Sequence, residues 1–254
     1  MMQAAIIEPF LAQMARAFWS RAGGRPSPPV DLDQAVTFSL PLDIVLLSRL
    51  SLRRAEQWLA RRNVHYPFAQ QNCALHGLLL VYRGAGFIFL DGTDTTIERR
   101  YTLAHEVAHF LYDYLRIRER AVRLVGTQVL DVLDGLRKAT VDERVESVLA
   151  AMPVRPYVHL LARDESDFPA RLAIDQAENR ADRLALELLA PADEVCEALK
   201  EAGVAHAYFP CVAAARTLLH EQYQIPGSVV DAYARRVAHS LTGGPSALSA
   251  LGLE

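Results

Sequence analysis

Cysteine is scarce in this chain. Its 254 residues hold three, Cys73, Cys196 and Cys211, far apart and with no Cys-x-x-Cys pair. That usage excludes a disulfide framework and fits reduced thiols in a cytoplasmic protein, packed as small apolar side chains. No stretch reaches the roughly 18 apolar residues that a membrane span needs. The first 20 residues come nearest, with Ile6, Ile7, Phe10, Leu11, Met14, Phe18 and Trp19 at helical spacing, but Glu8 and Pro9 interrupt them. No basic segment precedes them, so an amphipathic helix docked on the main domain is expected rather than a leader or a span. Charge of one sign is lacking too: 27 Lys and Arg face 30 Asp and Glu, a net charge of −3. No global field therefore draws the chain to nucleic acid or to an anionic membrane. Internal repeats and low-complexity runs are missing. A hydrophobic content of 51% is ample for a core, in one elaborated domain or two small ones.

What is present begins with Tyr101-Thr-Leu-Ala-His105-Glu106-Val-Ala-His109. Two imidazoles stand one helical turn apart with a carboxylate between them, the HExxH arrangement of zinc hydrolases. Positions i and i+4 share a helix face, so both rings reach one ion at about 2.0–2.1 Å. Glu106 then faces a water acidified by that ion and can take its proton. The surroundings favour a helix: Thr95-x-x-Glu98 is a capping box, and Ile97, Leu103, Val107, Phe110 and Leu111 form an apolar stripe. Ala104 and Ala108 leave room beside the ligands.

A catalytic zinc site needs a third protein ligand and keeps its fourth position for water. The best downstream source is the helical run from Ala177 to Pro191, where Glu178 and Asp182 are four apart beside an apolar face. Glu178 is the candidate ligand, and Asp182 the carboxylate that orients a ligand imidazole.

Three blocks resemble the ImmA/IrrE metallopeptidases. They are Phe87-Ile-Phe-Leu-Asp91, then Arg99-Arg-Tyr-Thr-Leu-Ala-His-Glu-Val-Ala-His109, and Glu178-x-x-Ala-Asp-x-Leu-Ala-x-x-Leu-Leu-Ala-Pro191. The family pattern of the last block reads Glu-x-x-Ala-Asn/Asp-x-Phe-Ala-x-x-Leu-Leu-Met-Pro, so Leu184 and Ala190 are mild departures. The resemblance covers about residues 45 to 240. It implies zinc, one per chain, on His105, His109 and Glu178, or manganese in its place, with Glu106 as general base. It also implies an α+β fold, a mostly helical zincin-like domain with a small sheet and a helix-turn-helix-like tail. The chief departure is that 69 positions separate His109 from Glu178, where short members of the family have a few tens.

The added length reads as a helical insertion over about 116–165. Val122, Leu124, Val125, Val129, Leu130, Val132 and Leu133 line residues 118–137, and Thr140-Val-Asp-Glu143 is a second capping box. After Pro153 and Pro156, Tyr157-Val-His-Leu-Leu-Ala162 is short and apolar, an edge strand that would roof the cleft. His159 and Tyr157 on it are candidate donors to the oxyanion of a tetrahedral intermediate, though a His in an apolar strand is more often simply packed. Tyr101, one turn before His105, reads as core.

Elsewhere, residues 1–30 form the N-terminal helix and a Gly/Pro-rich linker, and Ser51 to Asn63 an amphipathic helix on Ala55, Trp58 and Leu59. Residues 75–90 form a hairpin, and the main domain runs from 31 to 203. Residues 204–254 hold two helices, from Pro210 to about Gln222 and from Val229 to His239, and a tail. From Arg216 to His239 three Arg oppose one Glu and one Asp; a net of +1 is thin for phosphate contacts and argues against direct DNA binding.

Two function classes follow. One is a zinc endopeptidase, which by the resemblance cuts a helix-turn-helix repressor in stress response or mobile-element regulation. The other is a non-catalytic, metal-stabilised module that binds a repressor or DNA. An intact Glu106 favours the first, because a structural zinc needs no general base; a fourth protein ligand would favour the second.

Overall fold

Residues 75–82 and 85–91 are apolar almost without alternation because both faces of the sheet they build are covered. The structure, a computed structural model, describes residues 6–68, 71–82, 84–141, 157–162 and 172–245. In chain order these form α1 (Pro9–Arg21), α2 (Leu32–Ser39), β1 (Leu42–Leu47), α3 (Leu52–Ala60), β2 (Leu75–Tyr82), β3 (Ala85–Asp91) and α4 (Thr96–His109). A π-helical turn (Phe110–Leu115), α5 (Arg116–Val125), α6 (Val129–Leu133), β4 (Tyr157–Ala162) and α7 (Leu172–Leu189) follow. The chain ends in α8 (Ala192–Glu201), α9 (Tyr208–Thr217) with a second π-helical turn (Leu218–Gln222), and α10 (Gly227–Thr242). The class is α+β, mostly helical. No helix among the described residues is long and apolar enough to cross a membrane.

Two compact units divide the chain: Asp33–Ala181, and Met1–Leu32 together with Asp182–Glu254. The helix α7 passes from one to the other between Ala181 and Asp182, so residues 182–203 group with the two ends of the chain rather than with the sheet.

In the unit from Asp33 to Ala181 the sheet order is β1-β3-β2-β4. The expected hairpin is there, β2 antiparallel to β3 with Leu79 opposite Ile88, and its turn contains Gly84 at φ 80°. β1 adds in parallel to the far side of β3. On one face Leu78, Leu80 and Phe89 pack on Leu52, Ala55 and Leu59 of α3. Trp58 meets Phe89 edge-on, with ring centroids 5.3 Å apart. The helix α4 lies against β2 and β3.

Asp91 closes the hairpin at the start of the path to α4. Its carboxylate accepts from the N–H groups of Arg49 (2.9 Å), Leu50 (3.0 Å) and Thr93 (2.8 Å) and from the Thr93 hydroxyl (2.7 Å). A buried carboxylate so satisfied ties two loops together. The capping box then starts α4: Glu98 N–H donates to Thr95 Oγ1 (3.2 Å) and Thr95 N–H to Glu98 Oε2 (2.9 Å). The apolar run expected over 118–137 is split into α5 and α6 by Gly126 at φ 95°. Ala121 and Val129 pair the two helices, and Arg118 holds Asp134 through two hydrogen bonds of 2.6 and 2.8 Å. The Thr140 capping box reaches residues outside those described, as does the helix it would open.

In the other unit the last carbonyls of α7 are satisfied by side chains, as helix ends require. Trp19 Nε1 donates to Leu188 O (3.1 Å), Arg25 to Leu189 O (2.8 Å) and the buried Tyr233 hydroxyl to Ala190 O (2.7 Å). Tyr233 is thus core. Arg216 and Arg235 both face Asp231, at 2.8 and 3.7 Å.

Glu187 is buried and accepts from Ala192 N–H at 3.1 Å, and burial pushes its carboxyl pKa up. A group raised in the folded state adds stability below its unfolded pKa and loses it as pH rises through the folded value, so the ionised form weighs on the fold at neutral pH. Glu187→Gln keeps an acceptor without the charge. It is expected to raise Tm by roughly 2–4 °C near pH 7.5 and by much less near pH 4, read by thermal unfolding at both pH values.

Candidate metal centre

The helix α4 is buried from Thr102 to His109, and it presents His105 and His109 on one face because they are one turn apart. Their Nε2 atoms lie 3.2 Å from each other. Glu178, on the first half of α7, brings Oε2 to 3.2 Å from His105 Nε2 and Oε1 to 3.6 Å from His109 Nε2. Donors about 2.0–2.1 Å from one tetrahedral ion stand roughly 3.3–3.4 Å apart, and these three match that spacing. The 69-residue separation therefore still delivers Glu178 to the two histidines.

A fourth donor joins them. The strand β4 pairs antiparallel with β2, with His159 opposite Leu79, and places His159 Nε2 3.0 Å from Glu178 Oε1. One ligand atom from each of His105, His109, His159 and Glu178 falls within 4.8 Å of all the others, so the group can hold a metal ion. Three imidazoles and one carboxylate suit zinc or another first-row divalent ion, not calcium or magnesium, which prefer all-oxygen shells.

Outer contacts orient two of the rings. His109 Nδ1 lies 2.8 Å from Asp113 Oδ2, and His159 Nδ1 lies 2.9 Å from Glu106 Oε2. Each leaves Nε2 turned inward, the carboxylate–histidine–metal pattern. Asp113 was not singled out from sequence. It sits four residues after His109 on the π-helical turn, and the i+4 spacing is the signal that marks it. Asp182, expected in such a role, follows Glu178 one turn later on α7.

No family model matches the chain, and neither the curated proteins nor the solved structures include a match. The reading of this centre rests on its own geometry.

Electrostatics agree with a cation site. Burial acts to pull the His159 pKa down, but the carboxylates of Glu106 and Glu178 outweigh it and push the ring up to about 10. Burial works to raise Glu178, yet hydrogen bonds with His105, His109 and His159 bring its carboxyl well below the usual range. Glu106 is fully buried, and its Oε1 has no hydrogen-bond partner among the described residues. Such an orphaned atom normally faces a water, ion or ligand. Tyr101 is half-buried on α4; the side chain of Tyr157 lies outside the described residues.

Gly77 of β2 sets the room around Glu106. A Cβ there would stand 2.6 Å from Thr102 Cγ2 and 2.7 Å from Glu106 Oε1, inside contact distance of both. Gly77→Ala is expected to cost about 1–3 kcal/mol by overpacking and to displace Glu106, seen as a lower denaturation midpoint and altered zinc affinity.

Proposed function

We propose that this chain is a zinc-dependent endopeptidase with a zincin-like core. It would act in the cytoplasm on a specific protein, a helix-turn-helix repressor of the kind implied by the ImmA/IrrE resemblance. The observation that carries the reading is the convergence of His105, His109 and Glu178 beside Glu106, a buried carboxylate with one oxygen unpartnered among the described residues.

A zinc ion held there would polarise a carbonyl oxygen and acidify water. The residues supply the rest. His105, His109 and Glu178 would hold the ion, and Asp113 would fix the His109 tautomer. Glu106 takes a proton from the attacking water through Oε1 and returns it to the leaving amine, the two halves of general acid–base catalysis. Substrate choice would rest on surfaces outside the donor group, and α9 with α10, the segment read as helix-turn-helix-like, is a candidate docking element. Pairing of Arg216 and Arg235 with Asp231 speaks for protein packing over DNA contact there.

A second reading is favoured by one observation. His159 in the same donor group is what a closed, structural site would show, and a regulatory module binding a repressor without cutting it would have such a site. The test compares new protein N-termini in a cell lysate treated with zinc-loaded parent, His159→Ala and Glu106→Gln proteins. Termini produced by the parent or the His159 variant, and by neither the Glu106 variant nor chelated protein, support the peptidase. None from either would leave the binding module.

A further inference from the structure

The strand β4 does two things at once: it takes the edge of β2 and it carries His159 into the donor group. We infer that His159 is a fourth protein ligand, so that the resting metal site is closed by a strand of the chain itself. The inference rests on the metal site proposed above and concerns what blocks it.

Three observations point the same way. First, His159 Nε2 is 3.0 Å from Glu178 Oε1, just below the 3.2 to 3.6 Å among the other ligand pairs, and one ligand atom from each of the four residues lies within 4.8 Å of the others. Secondly, its Nδ1 is held by Glu106 Oε2 at 2.9 Å, as His109 Nδ1 is held by Asp113 at 2.8 Å. The two rings are presented in the same manner, nitrogen inward and carboxylate behind, which is how ligand histidines are fixed. In this state Glu106 spends one oxygen on orienting His159. Thirdly, the backbone leaves little freedom: residues 157–162 run in register with β2 from Val81 to Leu75, broken only by an irregularity at Leu75/Gly77. The rings of His109 and His159 stack with centroids 3.6 Å apart, closer than the 4.9 Å of His105 and His109.

The consequence is mechanical. An extended peptide held by strand addition needs an unpaired sheet edge, and β4, last in the sheet order and in contact with Glu106 through His159, stands between the β2 edge and any added strand. Release of β4 would free that edge and the fourth metal position together. β4 thereby supplies latency.

The test uses cobalt(II) in place of zinc in the full chain, because its absorption reports ligand number. The parent is expected to give four-coordinate bands that excess azide leaves unchanged. His159→Ala is expected to bind azide with a clear spectral shift and to hold zinc about 10–100-fold more weakly. His159→Cys is expected to add a sulfur-to-cobalt charge-transfer band, which arises only if residue 159 coordinates. A parent spectrum that azide shifts as it shifts the Ala variant would overturn the inference while leaving the three-ligand site standing. So would a folded, cobalt-loaded Cys variant without the band. No cobalt bands in the parent would remove the metal site and the inference together.

Discussion

Glu106→Gln protein takes up zinc as the parent does, yet hydrolyses the substrate bond about 10²–10⁴-fold more slowly, the usual contribution of a general base. The amide cannot accept a proton, but it keeps the shape of a side chain that is fully buried and preserves an oxygen for His159 Nδ1. Metal content and cleavage rate should therefore separate. The comparison belongs in the His159→Ala background as well as in the parent, since a closed resting site would mask the loss. Cleavage surviving the substitution in the open background would remove Glu106 from the chemistry.

Glu178→Ala is expected to lower zinc affinity by at least about 100-fold. Removing an outer-sphere partner of a ligand commonly costs 10–100-fold, and Glu178 is the carboxylate shared by all three histidines, at 3.0 to 3.6 Å. Competition with a chromogenic chelator reads the change. The substitution also removes the acceptor that offsets burial of those rings, so metal-free variant and parent should differ in thermal stability. Parent-like zinc affinity would mean that the third ligand lies elsewhere.

How much of this was legible in the sequence depends on how local each interaction is. The HExxH helix and its capping box follow from spacing within a single helix, whereas Glu178 was a candidate only through its place on its own helix and the resemblance, and the structure brings it to 3.2 Å from His105 Nε2. The hairpin was legible because a short turn fixes antiparallel register. β1 was not, because a parallel strand pairs through a long crossover that leaves no local turn signal. Leu42–Leu47 therefore reads as an unremarked apolar run until Leu46 is seen opposite Leu90. His159 was legible as a candidate but not in its place. A lone histidine in an apolar strand suggests an oxyanion donor or packing, whereas its entry into the metal group depends on β4 returning to β2 across the insertion. Asp113 was not legible because a carboxylate on a helix is most often a solvated surface group, and only its i+4 place after His109 marks it.

Metal content measured by elemental mass spectrometry tests the central claim most directly, on purified parent and on protein carrying His105→Ala and His109→Ala together. The account predicts about one zinc per parent chain and next to none in the double variant, as a single site built on that histidine pair requires. Parent protein that holds no metal after reconstitution with zinc, or a double variant that holds as much as the parent, would contradict it.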